Sequence, residues 1–275
     1  TPVIDENWYV GEGDPQKIVQ YNDNSEKVSE LSFERKVYGD LVEYKTLLYS
    51  VQVGGGICCT TPSMKTIWMT CSSKQVFSRA FSIKYPMFFQ ELVIVNLGEN
   101  DTVERGSFEI NAYQYNTGEL IWQVFIEGSP NSSHLFEDKL YVCVGNHFRR
   151  IDALTGQIEI DEIFDYKNFD GKPFSIGAVY PLGSDTILCC GAESQILEIR
   201  TADAKSVVQT IQLPETYCYS GEKPPVFFAD KVYLSLDHVV LIPFNLMKSG
   251  VAVLSPNSNA SKVEVARLEE RVPYT

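Results

Sequence analysis

The sequence predicts an all-β chain, a six-bladed β-propeller forming a single domain over residues 1–275, and three observations lead there. A strand-like run recurs at constant spacing, a strand–turn–strand element follows each copy, and aromatic residues make up 12% of the chain, with 15 Tyr and 15 Phe. Aromatic side chains suit a pleated, half-buried surface, and self-similarity at a period of about 20–50 residues marks solenoids and propellers.

The recurring run is Asp138–Gly145 (DKLYVCVG), which returns as Ser184–Gly191 (SDTILCCG) and as Asp230–Asp237 (DKVYLSLD), a constant step of 46 residues. A turn opens each run, a β-rich strand fills it and Gly or Asp closes it. The second element is clearest in Ile110–Trp122 (INAYQYNTGELIW) and Arg150–Ile158 (RIDALTGQI). In both, a Thr-Gly pair supplies the positive φ that a tight hairpin turn requires. Weaker copies of the turn lie at Ser25-Glu26, Ser73-Lys74, Ala204-Lys205 and Ser249-Gly250, so six hairpins are expected, near residues 26, 74, 118, 156, 204 and 250.

The pattern A-x-x-x-x-T-G-x-x-x-W, present as Ala112 to Trp122, resembles the repeat of the quinoprotein-like (PQQ-like) propellers. The other copies keep the spacing without that tryptophan. The resemblance implies blades of four antiparallel strands arranged around a channel.

Each repeat divides into strands A to D from the inside outward. The fourth blade reads Ser132–Phe136, Leu140–Val144, Phe148–Asp152 and Gln157–Phe164; the fifth reads Phe174–Tyr180, Thr186–Cys190, Ile196–Arg200 and Ser206–Leu213. The sixth reads Pro225–Phe228, Val232–Leu236, Val239–Phe244 and Val251–Leu254. The first blade supplies only Trp8–Val10, Lys17–Tyr21 and Lys27–Phe33, whereas Val263–Leu268 alternates like a strand and has no blade of its own. The C-terminal strand is therefore expected to complete the first blade and close the ring, which removes open edges. Seven blades are the alternative, with an extra hairpin between Phe33 and Lys65.

The formal net charge is −13, which repels a phosphate backbone, so nucleic acid is excluded and a basic protein partner is favoured. No run approaches the roughly 18 apolar residues of a membrane span, and TPVIDENWYV lacks the basic-then-apolar layout of a leader. Seven cysteines cannot all pair within the chain. Cys143, Cys189 and Cys190 lie in apolar runs, where a thiol is a small buried hydrophobe. Together these point to the cytoplasm, with the periplasm as the alternative for a chain that has lost its leader.

Enzymatic readings find little support in the residues. The vicinal pairs Cys58-Cys59 and Cys189-Cys190 invite a quinone-dependent dehydrogenase, but the calcium and quinone motifs of that family are not recognisable, and the chain is short for an eight-bladed enzyme. The Asp-box of sialidases is absent from the turns. His147 and His238 occupy equivalent turns without a matched carboxylate or thiol, which is weak support for a metal. Gly54-Gly55-Gly56 lacks the lysine of a phosphate loop. The expectation is therefore no catalytic residue, no cofactor, no metal and no enzymatic activity.

What remains is a binding surface. Functional residues commonly sit on loops held by a rigid scaffold, and in a propeller the D–A and B–C connections gather at one end. Those connections combine acids with aromatics: Asp101 and Glu104; Asp165, Tyr166, Phe169 and Asp170; Tyr217, Tyr219 and Glu222. The expected function is a non-catalytic, acidic propeller that binds a protein partner, and its small acidic build resembles bacterial immunity proteins that neutralise a cognate toxin. The alternatives are a sugar- or quinone-active propeller enzyme and an envelope assembly scaffold.

Overall fold

The computed structural model describes residues 3–4, 7–13, 16–33, 37–52, 56–70, 86–98, 107–128, 130–164, 176–182, 184–191, 196–213, 217–219, 226–228, 231–238, 250–254 and 264–267. Every regular element among them is a strand, and the strands form six antiparallel sheets. The first holds β1 (Val3–Ile4), β2 (Asn7–Gly13), β3 (Gln16–Tyr21) and β4 (Lys27–Ser32). The second holds β5 (Val37–Tyr44), β6 (Leu47–Gln52), β7 (Gly56–Thr60) and β8 (Thr66–Thr70). The third holds β9 (Met87–Phe89), β10 (Leu92–Gly98), β11 (Ser107–Gln114) and β12 (Leu120–Glu127). The fourth holds β13 (Pro130–Phe136), β14 (Lys139–Val144), β15 (His147–Asp152) and β16 (Ile158–Ile163), and the fifth β17 (Ile176–Pro181), β18 (Thr186–Gly191), β19 (Ile196–Thr201) and β20 (Val207–Gln212). These five are up-and-down sheets in chain order.

The last sheet is built differently. β21 (Tyr217–Tyr219) and β22 (Val226–Phe228) both pair with β23 (Lys231–His238), along different parts of its length. β24 (Gly250–Leu254) pairs with β23, and β25 (Glu264–Arg267) pairs with β24 through Gly250↔Arg267 to Val253↔Glu264. The expected closure of the first blade by the C-terminal strand is thereby corrected: β25 is the outer strand of the last sheet. The first sheet has its own first strand, with Val3 opposite Trp8 and Ile4 opposite Asn7. The short connection 255–263 makes the β24 edge the cheapest partner in loop entropy. Val239–Phe244, the expected third strand of that blade, lies outside the described residues. The stretch Phe33–Lys65, considered for an extra hairpin, holds β5, β6 and β7, all of the second sheet.

The inner strands read as continuous apolar runs because both faces are covered. Every residue of β7 and β17 is buried, as are all but the first of β14 and β18. The outer strands β12 and β16 instead alternate buried and exposed positions, as expected for a strand with one wet face.

The turns between third and fourth strands come in two forms. In the third and fourth sheets Gly118 and Gly156 take φ 72°, four residues after Gln114 and Asp152, whose carbonyls they bond. In the first, second and fifth, Ser25, Met64 and Ala204 take φ 61°, 62° and 66°, bonding Asn22, Thr61 and Thr201. Side-chain oxygens make these non-glycine turns viable: Asn22 Oδ1 accepts from the Asn24 and Glu26 amides, and Thr61 Oγ1 from the Lys65 amide at 3.1 Å. The second hairpin is thus at 61–65, not near 74, a position outside the described residues. The turn expected at Ser249-Gly250 is also displaced, since Gly250 begins β24.

The chain separates into two compact units, Thr1–Pro130 with Glu137–Leu140 and Asp152–Gln157, and Asn131–Phe136 with Tyr141–Ile151 and Ile158–Thr275. In the first, Ile4, Tyr9 and Ile18 pack on Leu41, Leu48 and Met64, and Tyr49, Ile57, Cys59 and Trp68 pack on Val93, Val95 and Tyr113. In the second, Tyr141, Cys143, Phe148 and Ile160 pack on Ile176, Val179, Ile187 and Cys189. Successive sheets therefore stack face to face within each unit, and each fully buried Ile, Leu or Phe contributes about 1.5–3 kcal/mol.

One carbonyl recurs as the anchor of this stacking. In the second to fifth sheets the residue after the turn's first residue accepts a donor from the preceding sheet. Tyr9 Oη donates to Pro62 O at 3.2 Å, Trp68 Nε1 to Tyr115 O at 2.9 Å, Trp122 Nε1 to Ala153 O at 3.1 Å and Arg150 Nη1 to Ala202 O at 3.1 Å. The indoles also explain the two glycines: a Cβ on Gly118 would stand 2.6 Å from Trp68, and one on Gly156 2.8 Å from Trp122.

Candidate functional site

In an up-and-down four-stranded sheet the A–B and C–D turns share one end, while the B–C turn and the exit from strand D share the other. In the second unit this second end is well defined. Gly145, at φ 57°, and Asn146 turn the chain from β14 into β15. The Phe164 amide donates to Asn146 O at 2.8 Å, Asn146 Nδ2 donates to Phe164 O at 3.2 Å, and the Ile176 amide donates to Gly145 O at 2.6 Å. Phe164 and Ile176, the residues on either side of 165–175, are thus both tied to one turn.

The residues beneath the stems are tightly packed and charged. Phe164 is buried against Phe148, ring centres 6.0 Å apart, and the Arg200 guanidinium lies 4.3 Å from the Phe164 ring centre. Arg200 is held by Glu198 at 2.8 Å and donates Nη1 to Ala204 O at 3.0 Å. Beside the turn, His147 Nε2 meets Asp161 at 2.7 Å, Arg149 Nε meets the same carboxylate at 3.0 Å, and Arg149 Nη2 approaches His147 Nδ1 at 3.2 Å. Arg149 can only donate, so Nδ1 accepts, and the ring is the neutral tautomer with its proton on Nε2. Burial, and then the Arg149 charge, hold the His147 pKa below the ordinary imidazole value, against the pull of Asp161. His147 is the first residue of β15, partnered by Asp161 and Arg149, rather than the turn residue expected.

The nine residues expected to form the binding face are distributed as follows. Asp101 and Glu104 fall in 99–106, between β10 and β11; Asp165, Tyr166, Phe169 and Asp170 fall in 165–175; Glu222 falls in 220–225. These seven lie outside the described residues. Tyr217 and Tyr219 are not loop residues: they belong to β21, opposite His238 and Leu236. Their β-propensity places them on the free edge of β23. Asn146, Phe164 and Arg200, which carry the loop, were not legible as functional. Only the Gly-Asn pair signalled a turn.

No protein-family model and no curated protein matches the sequence. Solved structures do match. The quinohemoprotein alcohol dehydrogenase of Comamonas testosteroni shares 13% identity at a TM-score of 0.64, over 97% of this chain and 60% of its own length. A europium-containing methanol dehydrogenase shares 9% at 0.61, over 96% of this chain and 70% of its own. The computationally designed Ika8 protein shares 10% at 0.57, over 97% and 82%. The chain therefore has a β-propeller fold like these structures, and it spans about three fifths of the alcohol dehydrogenase. The expectation that it is not an enzyme is corrected by these likenesses: two of the three proteins are dehydrogenases, so the fold gives no ground for reading the chain as non-catalytic.

The described residues do not assemble a quinone and metal site. No group of three or more His, Cys, Asp or Glu among them is placed to hold a metal ion. Cys189 packs with Val179 and Ile187, and Cys190 with Ala178 and Leu188, so this vicinal pair faces opposite sides of its sheet. Burial raises both thiols, pushes Cys143 up to about 12 and pushes Cys59 up to about 11.

Proposed function

We propose that the chain is a six-bladed propeller that binds a basic protein partner through the end of its sheets from which the B–C and D–A connections leave. The observation that carries this reading is the clamp on 165–175, whose two stems are hydrogen-bonded to the single turn Gly145–Asn146. Stems fixed at Phe164 and Ile176 set the two ends of this connection before a partner binds. Asp165, Tyr166, Phe169 and Asp170 give it the composition of an interface, with aromatic anchors and charges that steer encounter. Asp101, Glu104, Tyr217, Tyr219 and Glu222 are the proposed remainder of this face, and the net charge of −13 selects the sign of the partner. The buried cysteines Cys58, Cys59, Cys143, Cys189 and Cys190 suit the reducing cytoplasm.

The test is affinity capture from the native source with mass spectrometry, using the wild-type chain and a variant with Asp165, Tyr166, Phe169 and Asp170 all replaced by Ala. Binding of the captured protein should weaken at least tenfold, about 1.4 kcal/mol, with the circular dichroism spectrum unchanged. Equal binding by both chains overturns the reading.

A further inference from the structure

A separate surface on the first unit has the chemistry of a docking edge. β12 ends the third sheet, whose order is β12-β11-β10-β9, and no strand among the described residues pairs with its outer edge. Its inward side chains Trp122 and Ile126 are buried, but Leu120, Ile121 and Phe125 are exposed at 47%, 46% and 64%. Proteins ordinarily protect such an edge with lysine, proline, inward charges or a β-bulge, and β12 carries one of these, the register shift at Ala112/Tyr113 that leaves Ile121 without a partner on β11. Residues 107–127 contain no Lys, Arg, His or Pro, yet include Glu109, Glu119 and Glu127.

The other outer strands differ in ways that single this one out. On β4, Lys27 bonds Glu30 at 2.6 Å. On β16, Glu159 is held by Arg150, and Asp161 by His147 and Arg149. β8 and β20 expose Ile67, Met69, Val207 and Val208 but carry no acid. Among the five outer strands whose side chains are described, only at β12 does an exposed apolar face lie between two exposed carboxylates, Glu119 just before the strand and Glu127 at its end, and neither forms an ion pair among the described residues.

We propose that β12 is an edge for strand addition, taking an extended segment of a basic protein. The segment pairs its backbone with the outer edge, lays alternate apolar side chains on Ile121 and Phe125, and presents Lys or Arg to Glu119 and Glu127. Those two positions lie at most about 26 Å apart along an extended chain, less the residue taken up by the bulge at Ile121, which calls for basic residues roughly seven to eight positions apart. A second copy of this chain is disfavoured by the same charges. Antiparallel pairing of β12 with itself sets Glu119 beside Glu127, parallel pairing stacks each on its own copy, and like charges opposed across a ladder destabilise it. This edge is independent of the loop face proposed above.

The probe is the synthetic peptide Lys-Thr-Val-Thr-Val-Thr-Val-Thr-Lys, with a Glu-ended counterpart, titrated into the full chain by fluorescence anisotropy. The Lys-ended peptide should bind at least tenfold more tightly than the Glu-ended one. That binding should fall at least tenfold in Phe125→Ser and in the double variant Glu119→Lys, Glu127→Lys, all surface changes, and amide exchange should slow across 120–127 when peptide is bound. The chain lacking the four loop side chains should bind the peptide as the wild type does, which separates this edge from the loop reading. Equal affinity for both peptides, or binding without slowed exchange in β12, overturns the proposal. So does concentration-dependent self-association abolished by Phe125→Ser, which would assign the edge to a second copy.

Discussion

The indole of Trp122 lies against Gly156: its Nε1 donates to Ala153 O at 3.1 Å, and a Cβ on Gly156 would stand 2.8 Å from the ring. Gly156→Ala therefore meets two costs, the left-handed backbone at φ 72° and the displaced indole, together about 2–4 kcal/mol. Trp122→Ala should cost about 3–5 kcal/mol. In that background Gly156→Ala should fall to the backbone cost alone, about 1–2 kcal/mol. Urea denaturation of the four chains measures this cycle, and strictly additive costs would contradict the contact.

His134 provides an acid-sensitive element. Its ring stacks on Tyr180 at 4.4 Å and Tyr141 at 5.5 Å, and Nε2 is buried without a hydrogen-bond partner. Burial lowers its pKa from 6.5 to about 4, with a backbone hydrogen bond to Val179 opposing. A base whose pKa is lowered by folding contributes stability that is complete above about 6.5 and is lost as pH falls toward 4, up to about 3 kcal/mol. His134→Phe should flatten the stability profile between pH 6.5 and 4, as read by denaturation at each pH.

Asp152 acts in a lower window. Its Oδ2 meets Lys139 Nζ at 2.8 Å, and its Oδ1 accepts from the Leu154 and Thr155 amides. Lys139, followed by Thr155, holds the carboxyl at about 2, below its ordinary 3.8. The stabilisation is present above 3.8 and is lost as pH falls to 2. Asp152→Asn keeps the turn acceptor and should remove only this dependence, whereas Asp152→Ala should cost about 2 kcal/mol at pH 7.

Thiol chemistry should be silent in the folded protein. Cys58, Cys59, Cys143, Cys189 and Cys190 are buried, and the thiolate is the reactive form. Intact and peptide mass spectrometry after iodoacetamide at pH 8 should find these five unmodified until denaturant is added. Modification of Cys189 or Cys190 in native conditions would show that the fifth sheet opens.

Removing residues 261–275 deletes β25 and leaves β24 as a bare edge. The truncated chain should lose thermal stability and self-associate at rising concentration, since an uncovered edge is a template for pairing. Sedimentation and thermal unfolding check this, and no change in either would mean that β25 adds nothing to its sheet.

Two kinds of information separate in this chain. The runs Leu140–Val144 and Thr186–Cys190 were legible as strands because a sheet covered on both faces makes contiguous apolar sequence, and the Thr-Gly turns at 117–118 and 155–156 were legible because positive φ selects glycine. Ser25, Met64 and Ala204 take the same backbone without glycine, so their turns were blurred or misplaced. Val263–Leu268 declared itself a strand by alternation, but which edge it joins is decided by the tertiary arrangement. So is the role of Trp68 and Arg150 as donors to the carbonyls of Tyr115 and Ala202, at separations of 47 and 52 residues. The tie of Phe164 and Ile176 to one turn is of the same kind. Strand period and turn conformation are set by neighbours within a few residues, and the sequence alone determined them. The choice of partner edge and the meeting of a donor with a distant carbonyl depend on which sheets stack, and only the folded chain brings those groups together.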